Sequence, residues 1–269
     1  MERWALCLQK KVNLSKIFFM AKAVVVVPTY NEIENIAKLL DAVFSLPYDF
    51  DVVVVDDNSP DGTGDCVEKL FNTYPDQLFL IRRKKKTGLG TAYIKGFKWA
   101  LQNGYDYIFE MDADFSHNPE DLIRLLDACR AEGADMAIGS RYVTGVNVIN
   151  WPMSRVLLSW VASKYVRWIM RLDIHDTTAG FVCYKRNVLE KINLDAIRFV
   201  GYAFQIEMKF KTKLAGFSIK EVPVIFTDRT RGESKMNRGI IREAVFGIFK
   251  MKFKSVFFKK KFFKSSFNN

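Results

Sequence analysis

The sequence predicts an α/β fold with one mostly parallel sheet. Three observations predict it. Hydrophobic runs of strand length alternate with segments of helical periodicity. The first run, 23–27, is rich in β-branched valine, as a strand covered on both faces requires. Several of them end abruptly in polar, turn-forming residues.

Taken in order, residues 23–27 form a valine-rich first strand ended by Pro28, and Asn31 reads as the cap of a helix over 33–44, where Ile36, Leu39, Leu40 and Val43 keep helical spacing. A second strand over 51–55 runs into Asp56-Asp57-Asn58-Ser59-Pro60-Asp61-Gly62-Thr63, a dense turn signal in which Asp61, Gly62 and Thr63 read as turn and cap. A helix over 64–74, a strand over 78–82 and a helix opened by the glycines near 88–90 and running to 103 follow. The fourth strand, 107–111, delivers Asp112, and a helix over 119–132 and a strand over 136–140 continue the alternation. The second half is less regular, with an amphipathic helix over 153–171, a turn and strand over 177–184, a helix over 203–215, a strand over 218–227 and a basic helical tail from 240. In a doubly wound sheet, ligands sit outside the carboxyl ends of the strands. The polar clusters at 28–32, 56–61 and 112–116 would gather on that edge and make a nucleotide site.

The chain has 269 residues, 49% hydrophobic and 26% charged, enough for one sizeable α/β domain. Its net charge of +11 implies an anionic partner. Residues 242–269 hold eight Lys or Arg against Glu243 alone, so +7 of that charge sits in a short tail interleaved with eight phenylalanines. Cys7, Cys66, Cys129 and Cys183 have no metal-type spacing and read as reduced thiols of a cytosolic protein. Residues 1–20 make no convincing signal sequence, and Met20 reads as an alternative start. The most apolar window, 151–170, is interrupted by Arg155, Lys164 and Arg167, which makes spanning a membrane costly.

Asp112 and Asp114 are the most informative pair. Two residues apart at a strand end, their carboxylates project to one side and can face a single divalent cation held against phosphate oxygens. A solvated pair in a turn is the plain alternative for so short a motif.

Several segments together resemble the family 2 inverting glycosyltransferases and, within them, the polyprenol (dolichol) phosphate mannosyltransferases. They are Pro28-Thr29-Tyr30-Asn31-Glu32, the 56–63 turn, Gly88-Leu89-Gly90-Thr91-Ala92, Asp112-Ala113-Asp114, Gly139-Ser140-Arg141-Tyr142, Asp176-Thr177-Thr178-Ala179-Gly180-Phe181 and the 229–235 run. The resemblance covers residues 22–236 and implies a single Rossmann-type domain of GT-A kind. It divides the chain into an N-terminal extension (1–21), a catalytic domain (22–238) and a basic, aromatic tail (239–269).

By that resemblance, Pro28, Tyr30, Glu32, Val55, Asp57 and Ala113 contact the donor nucleotide, with Asp57 able to accept from a guanine or uracil ring N–H. Asp112, Asp114 and Ser116 hold Mg²⁺ or Mn²⁺, although some relatives carry a glutamine where this chain has Ser116. His117 is a weaker candidate ligand. Asp112, Asp114, Arg141 and Arg229 carry catalysis, Arg229 and Lys235 also meet the donor diphosphate, and Arg141, Arg155 and Ser159 meet the acceptor phosphate. The implied reaction moves mannose from GDP-mannose to a polyprenyl phosphate. An acceptor phosphate, with a second pKa of about 6, needs no general base.

The tail pattern fits an interfacial segment, lysines on anionic headgroups and phenylalanines in the acyl boundary. A solvated tail or a helix packed on the domain is the alternative. These readings place the chain peripherally on the cytoplasmic face of a membrane, with a membrane-protein partner expected as in some relatives and no nucleic acid. The rival within the class moves glucose or an amino sugar from another donor to undecaprenyl phosphate. The rival outside it is a non-catalytic basic protein binding membrane or nucleic acid.

Overall fold

The computed structural model describes residues 21–201, 203–228, 238–257 and 259–268. Residues 1–20, the expected extension, and the loop holding Arg229 and Lys235 lie outside the described residues.

Seven strands form the main sheet: β1 (Ala23–Thr29), β2 (Phe50–Asp56), β3 (Leu78–Arg82), β4 (Tyr107–Glu110), β5 (Met136–Ser140), β7 (Val182–Lys185) and β8 (Ile219–Pro223). Their order is β3-β2-β1-β4-β7-β5-β8. Every pairing is parallel except those of β7, which runs antiparallel between β4 and β5. A small second sheet pairs β6 (Val148–Ile149) with β9 (Phe226–Thr227). The mostly parallel sheet read from the sequence is therefore present.

Strand periodicity divides two cores. Val24 and Val26 of β1 and Val53 and Val55 of β2 point to one face, where α3 (Leu89–Gln102), α6 (Arg186–Lys191) and α7 (Ala203–Leu214) pack. Val25, Val27, Val52 and Val54 point to the other, against α1 (Ile36–Phe44), α2 (Thr63–Lys69) and α4 (Asp121–Arg130). Val24 to Val27 are each fully buried, which stabilises the fold by about 1.5–3 kcal/mol per side chain. Gly96 of α3 is required by this packing, since a Cβ there would stand 2.3 Å from Val26 Cγ1.

The remaining helices are α5 (Met153–Met170), α8 (Arg238–Phe257) and α9 (Lys259–Ser266). Helix α8 rests on the body through Ile248 and Met251, and Phe262 and Phe267 pack against the same core. Phe249, Phe253, Val256 and Phe257 face outward. Among the described residues no helix is long and apolar enough to cross a membrane.

Two local expectations need correction. Asn31 does not cap α1; its φ is 59°, its amide donates to Ser59 Oγ, and the helix begins at Ile36 behind Asn35. The loop leaving β1 must turn sharply over the β2 loop, and asparagine tolerates that left-handed step. The strand expected over 218–227 is two strands, because β8 belongs to the main sheet and β9 to the small one. The short strand β6 and helix α6 were not foreseen; each is too short to show a period.

Candidate active site

The ends of β1, β2 and β4 lie side by side, and a left-handed residue follows each: Asn31, Asn58 and Phe115. Side-chain hydrogen bonds tie the first two loops together. Asp56 accepts from Thr29 Oγ1 at 3.0 Å and Ser59 Oγ at 2.6 Å, and Asp61 accepts from Thr63 Oγ1 and the Ile33 amide. Burial alone would raise the Asp61 pKa, but these hydrogen bonds lower it below the ordinary value. Asp61 and Thr63 thus serve as turn and cap, as their sequence context implies.

Beside this frame lie the residues read as nucleotide contacts. Pro28 pairs with Val55 across the β1–β2 register, and Val55 is fully buried. Asp57 is buried to 6% exposure with Arg83 Nε 3.1 Å from Oδ1, an ion contact without hydrogen-bond geometry. Burial raises the Asp57 pKa, and Arg83 partly opposes it. Lys86 lies over the Tyr30 ring at 4.1 Å, and Glu32 accepts from Asn35 Nδ2 at 2.9 Å. Arg83 and Lys86 were not singled out in the sequence, where they look like members of a solvated basic run.

A cavity of about 230 Å³ opens beyond β4. It is lined by Asp112, Asp114, Ser116, Arg141, Arg155 and Ser159, so the expected metal and acceptor-phosphate residues share one space. Arg229 and Lys235 lie outside the described residues, and the nucleotide residues sit at the neighbouring strand ends rather than on the cavity wall. Ala113 turns its methyl into the core, leaving only its main chain to meet a ligand.

Asp112 Oδ1 accepts from the fully buried Tyr93 hydroxyl at 3.1 Å. Asp114 Oδ1 accepts from the Ser116 amide at 3.1 Å, and Phe115 between them has φ 58°. A left-handed aromatic residue is costly, and such strain concentrates at functional sites. Ser116 Oγ is buried without a hydrogen-bond partner. An orphaned hydroxyl beside two carboxylates is a donor set that fits a hard divalent cation. Among the described residues no three His, Cys, Asp or Glu side chains gather to hold a metal unaided, so ligand oxygens or water would complete its shell. His117 is buried and stacked on Phe181 at 4.8 Å, and burial pushes its pKa down to about 4.

The cationic side is equally built. Arg141 donates from N, Nε and Nη2 to Asp176, at 3.0, 2.6 and 2.6 Å. Its guanidinium lies among the rings of Tyr142, Trp151 and Phe226, 5.3–5.5 Å from their centroids. Glu221 in turn accepts from the Asp176 amide at 2.9 Å. Arg155 Nη1 donates to Asp228 Oδ2 at 2.7 Å, and the Arg155 guanidinium stacks on Trp151 at 4.1 Å. Arg155 and Ser159 stand one turn apart on α5, and both line the cavity. Past them the walls become apolar: Leu158, Ala162 and Val166 from α5, and Ile248 from α8.

Sequence reasoning missed Tyr93, Trp151 and Gln205 and assigned Asp176 no role. For Asp176 the signal was present, because residues 176–181 were among the family segments. Tyr93 and Gln205 sit inside helices where nothing local separates them from core or surface positions.

A model of the family described as glycosyl transferase family 2 matches residues 24–193. This chain belongs to glycosyl transferase family 2. The family read from the motifs is therefore the correct one, and the parallel sheet with Asp112 at the end of β4 is its scaffold here. One relative is the polyprenol monophosphomannose synthase of Mycolicibacterium smegmatis, 48% identical over 227 residues, 84% of this chain and 85% of that one. The undecaprenyl-phosphate mannosyltransferase of Micrococcus luteus is 47% identical over 227 residues, 84% of this chain and 92% of its own. A mannosyltransferase from Pyrobaculum calidifontis, solved in complex with GDP-Man and Mn²⁺, has the same fold at TM-score 0.54 and 22% identity. That alignment covers 79% of this chain and 58% of the other.

Proposed function

We propose that this chain transfers mannose, with inversion, from GDP-mannose to the phosphate of a polyprenyl phosphate at a membrane surface. One observation carries the reading. A single cavity joins the Asp112 and Asp114 carboxylates to the Arg141 and Arg155 guanidinium groups and continues between apolar walls of α5 and α8. Cation site, anion site and hydrocarbon path are the three features that a sugar nucleotide and a lipid phosphate require together. The names of two relatives nearly half identical to this chain support mannose as the sugar and a polyprenyl phosphate as the acceptor.

Asp112, Asp114 and Ser116 would hold a divalent cation, Mg²⁺ or Mn²⁺, which when bound stabilises negative charge on the departing nucleoside diphosphate. Tyr93 keeps the Asp112 carboxylate oriented. Pro28, Tyr30, Glu32, Val55, Asp57 and the Ala113 main chain would seat the nucleotide, and Arg229 and Lys235 would meet the diphosphate. Arg141, fixed by Asp176, and Arg155, fixed by Asp228, would take the acceptor phosphate, and Ser159 adds a hydroxyl. Planar guanidinium groups match phosphate oxygens in pairs. The acceptor arrives already ionised, so no side chain need remove a proton from it.

The membrane face would be α5 together with α8. Leu157, Leu158, Val161 and Trp168 of α5 and Phe249, Phe253 and Phe257 of α8 are exposed, with Lys164 and Lys250 among them. On this reading residues 22–238 are the catalytic unit and 239–269 bind the cytoplasmic surface, alone or beside a membrane protein.

The test is transfer of labelled sugar from GDP-mannose, and separately UDP-glucose, to a short polyprenyl phosphate with Mg²⁺ or Mn²⁺. Metal-dependent mannosyl lipid is expected. Product from UDP-glucose alone overturns the sugar, and no lipid product from either overturns the acceptor.

A further inference from the structure

Gln205, near the start of α7, is 4% exposed and borders the same cavity as Asp112 and Asp114. Its Nε2 donates to Glu110 Oε2 at 2.5 Å, and the Tyr184 hydroxyl donates to Glu110 Oε1 at 2.9 Å. Burial pushes the Glu110 pKa up to about 7, while Lys209 and these two donors favour the carboxylate; in that ionised form Glu110 accepts at both oxygens and the other end of the amide faces away from it. That end, Oε1, is buried and has no hydrogen-bond partner. Native interiors rarely leave such an acceptor unmet.

The surroundings hold the amide still. Lys209, fully buried, donates to the Ala179 carbonyl at 2.6 Å and neighbours the Glu110 carboxylate. Phe204 stacks on Tyr93, whose hydroxyl holds Asp112. Gly180 lies against the amide: an added Cβ would stand in ordinary contact with Gln205 Nε2 at 3.5 Å.

An acceptor oxygen repels phosphate and attracts hydroxyl donors. That chemistry separates Gln205 from the arginines that suit the two phosphate groups and points to a neutral, hydroxyl-bearing ligand part held next to the diphosphate. We infer that Gln205 is a specificity-determining residue, its Oε1 accepting a hydrogen bond from one hydroxyl of the transferred sugar while Glu110 locks the amide. The inference rests on the transferase reading above. A site built to pair a substrate hydroxyl rejects the analogue that lacks it far more strongly than an apolar pocket would.

The test uses the full chain and monodeoxy analogues of whichever sugar nucleotide the wild type transfers. In the wild type one deoxy analogue is expected to lose about 100-fold in kcat/KM relative to the parent donor. In Gln205→Leu that penalty should shrink to about 10-fold or less, with affinity for the free nucleoside diphosphate kept within about 2-fold. Gln205→Asn, which stays polar but withdraws the oxygen by one methylene, should flatten the same analogue's penalty and guards against a folding defect in the leucine variant. A merely structural glutamine, or one whose missing partner is a bound water, would lower rates for all analogues alike. An unchanged deoxy profile in both variants overturns the inference while leaving the transferase reading intact. Failure of the wild type to transfer from either parent donor overturns both together.

Discussion

Asp176 accepts three hydrogen bonds from Arg141, 35 residues earlier, and is itself fully buried. The guanidinium is thereby held at the cavity with one edge committed and its faces against aromatic rings. Replacing Asp176 by Asn would leave a nearly buried positive charge uncompensated. The expected cost is about 3–5 kcal/mol in denaturant unfolding, with lipid-phosphate affinity falling as well. A variant as stable as wild type would mean that the pair contributes nothing net.

The same pair sets an acid sensitivity. Burial would raise the Asp176 pKa, but Arg141 overrides it and holds the carboxyl below its ordinary 3.8. A depressed folded value means stability that is fully present above about 3.8 and lost as pH falls through the lower folded value. Wild type should therefore lose more stability than Asp176→Asn between neutral pH and the region below 3.8. Parallel stability curves for the two proteins would contradict this.

Metal removal and Asp114→Ala should have the same effect. Chelation is expected to suppress sugar transfer by about 10²–10³-fold, and added Mn²⁺ or Mg²⁺ should restore the wild type but not the variant. Melting temperature should barely move, because the Asp114 side chain lies at the cavity rather than in the core. Full activity in Asp114→Ala would remove this carboxylate from the site.

Arg155 is paired with Asp228 and stacked on Trp151. Arg155→Ala should raise the KM for the lipid phosphate about 10-fold and leave the KM for the sugar nucleotide near wild type. Arg155→Lys should recover little, because an ammonium has no planar face for the indole. Equal changes in both KM values would assign Arg155 to the donor instead.

Phe249, Phe253 and Phe257 are 45–68% exposed along one side of α8. Changing all three to Ser should leave folding intact and reduce co-sedimentation with anionic vesicles by at least about 10-fold. Unchanged vesicle binding would assign the membrane contact elsewhere.

The early strands and their helices were legible because their signals are local. Val24–Val27 and Val52–Val55 are continuous apolar runs, and strands β3 and β5 begin and end where their sequence pattern does. Asp112 and Asp114 were legible as a pair because two residues on a strand end share a side whatever the rest of the chain does. Polar residues of α7 were not. Gln205, Glu207, Lys209 and Lys211 look like solvent positions by residue type, yet all four are buried. The sheet and the later helix α8 close over them, and a charge can enter such a place only with a partner, as Lys211 does with Glu207 at 3.2 Å.

The sequence by itself determined the fold class, the family and the carboxylate pair, since each is written in neighbouring residues. Tertiary structure alone decided that β7 would enter antiparallel between β4 and β5, that Asp176 would hold Arg141, and that Glu110 would hold Gln205. The reason is physical: periodicity and turn chemistry act over a few residues, whereas partner choice for a buried polar group depends on which distant segments the packed sheet brings within about 3 Å.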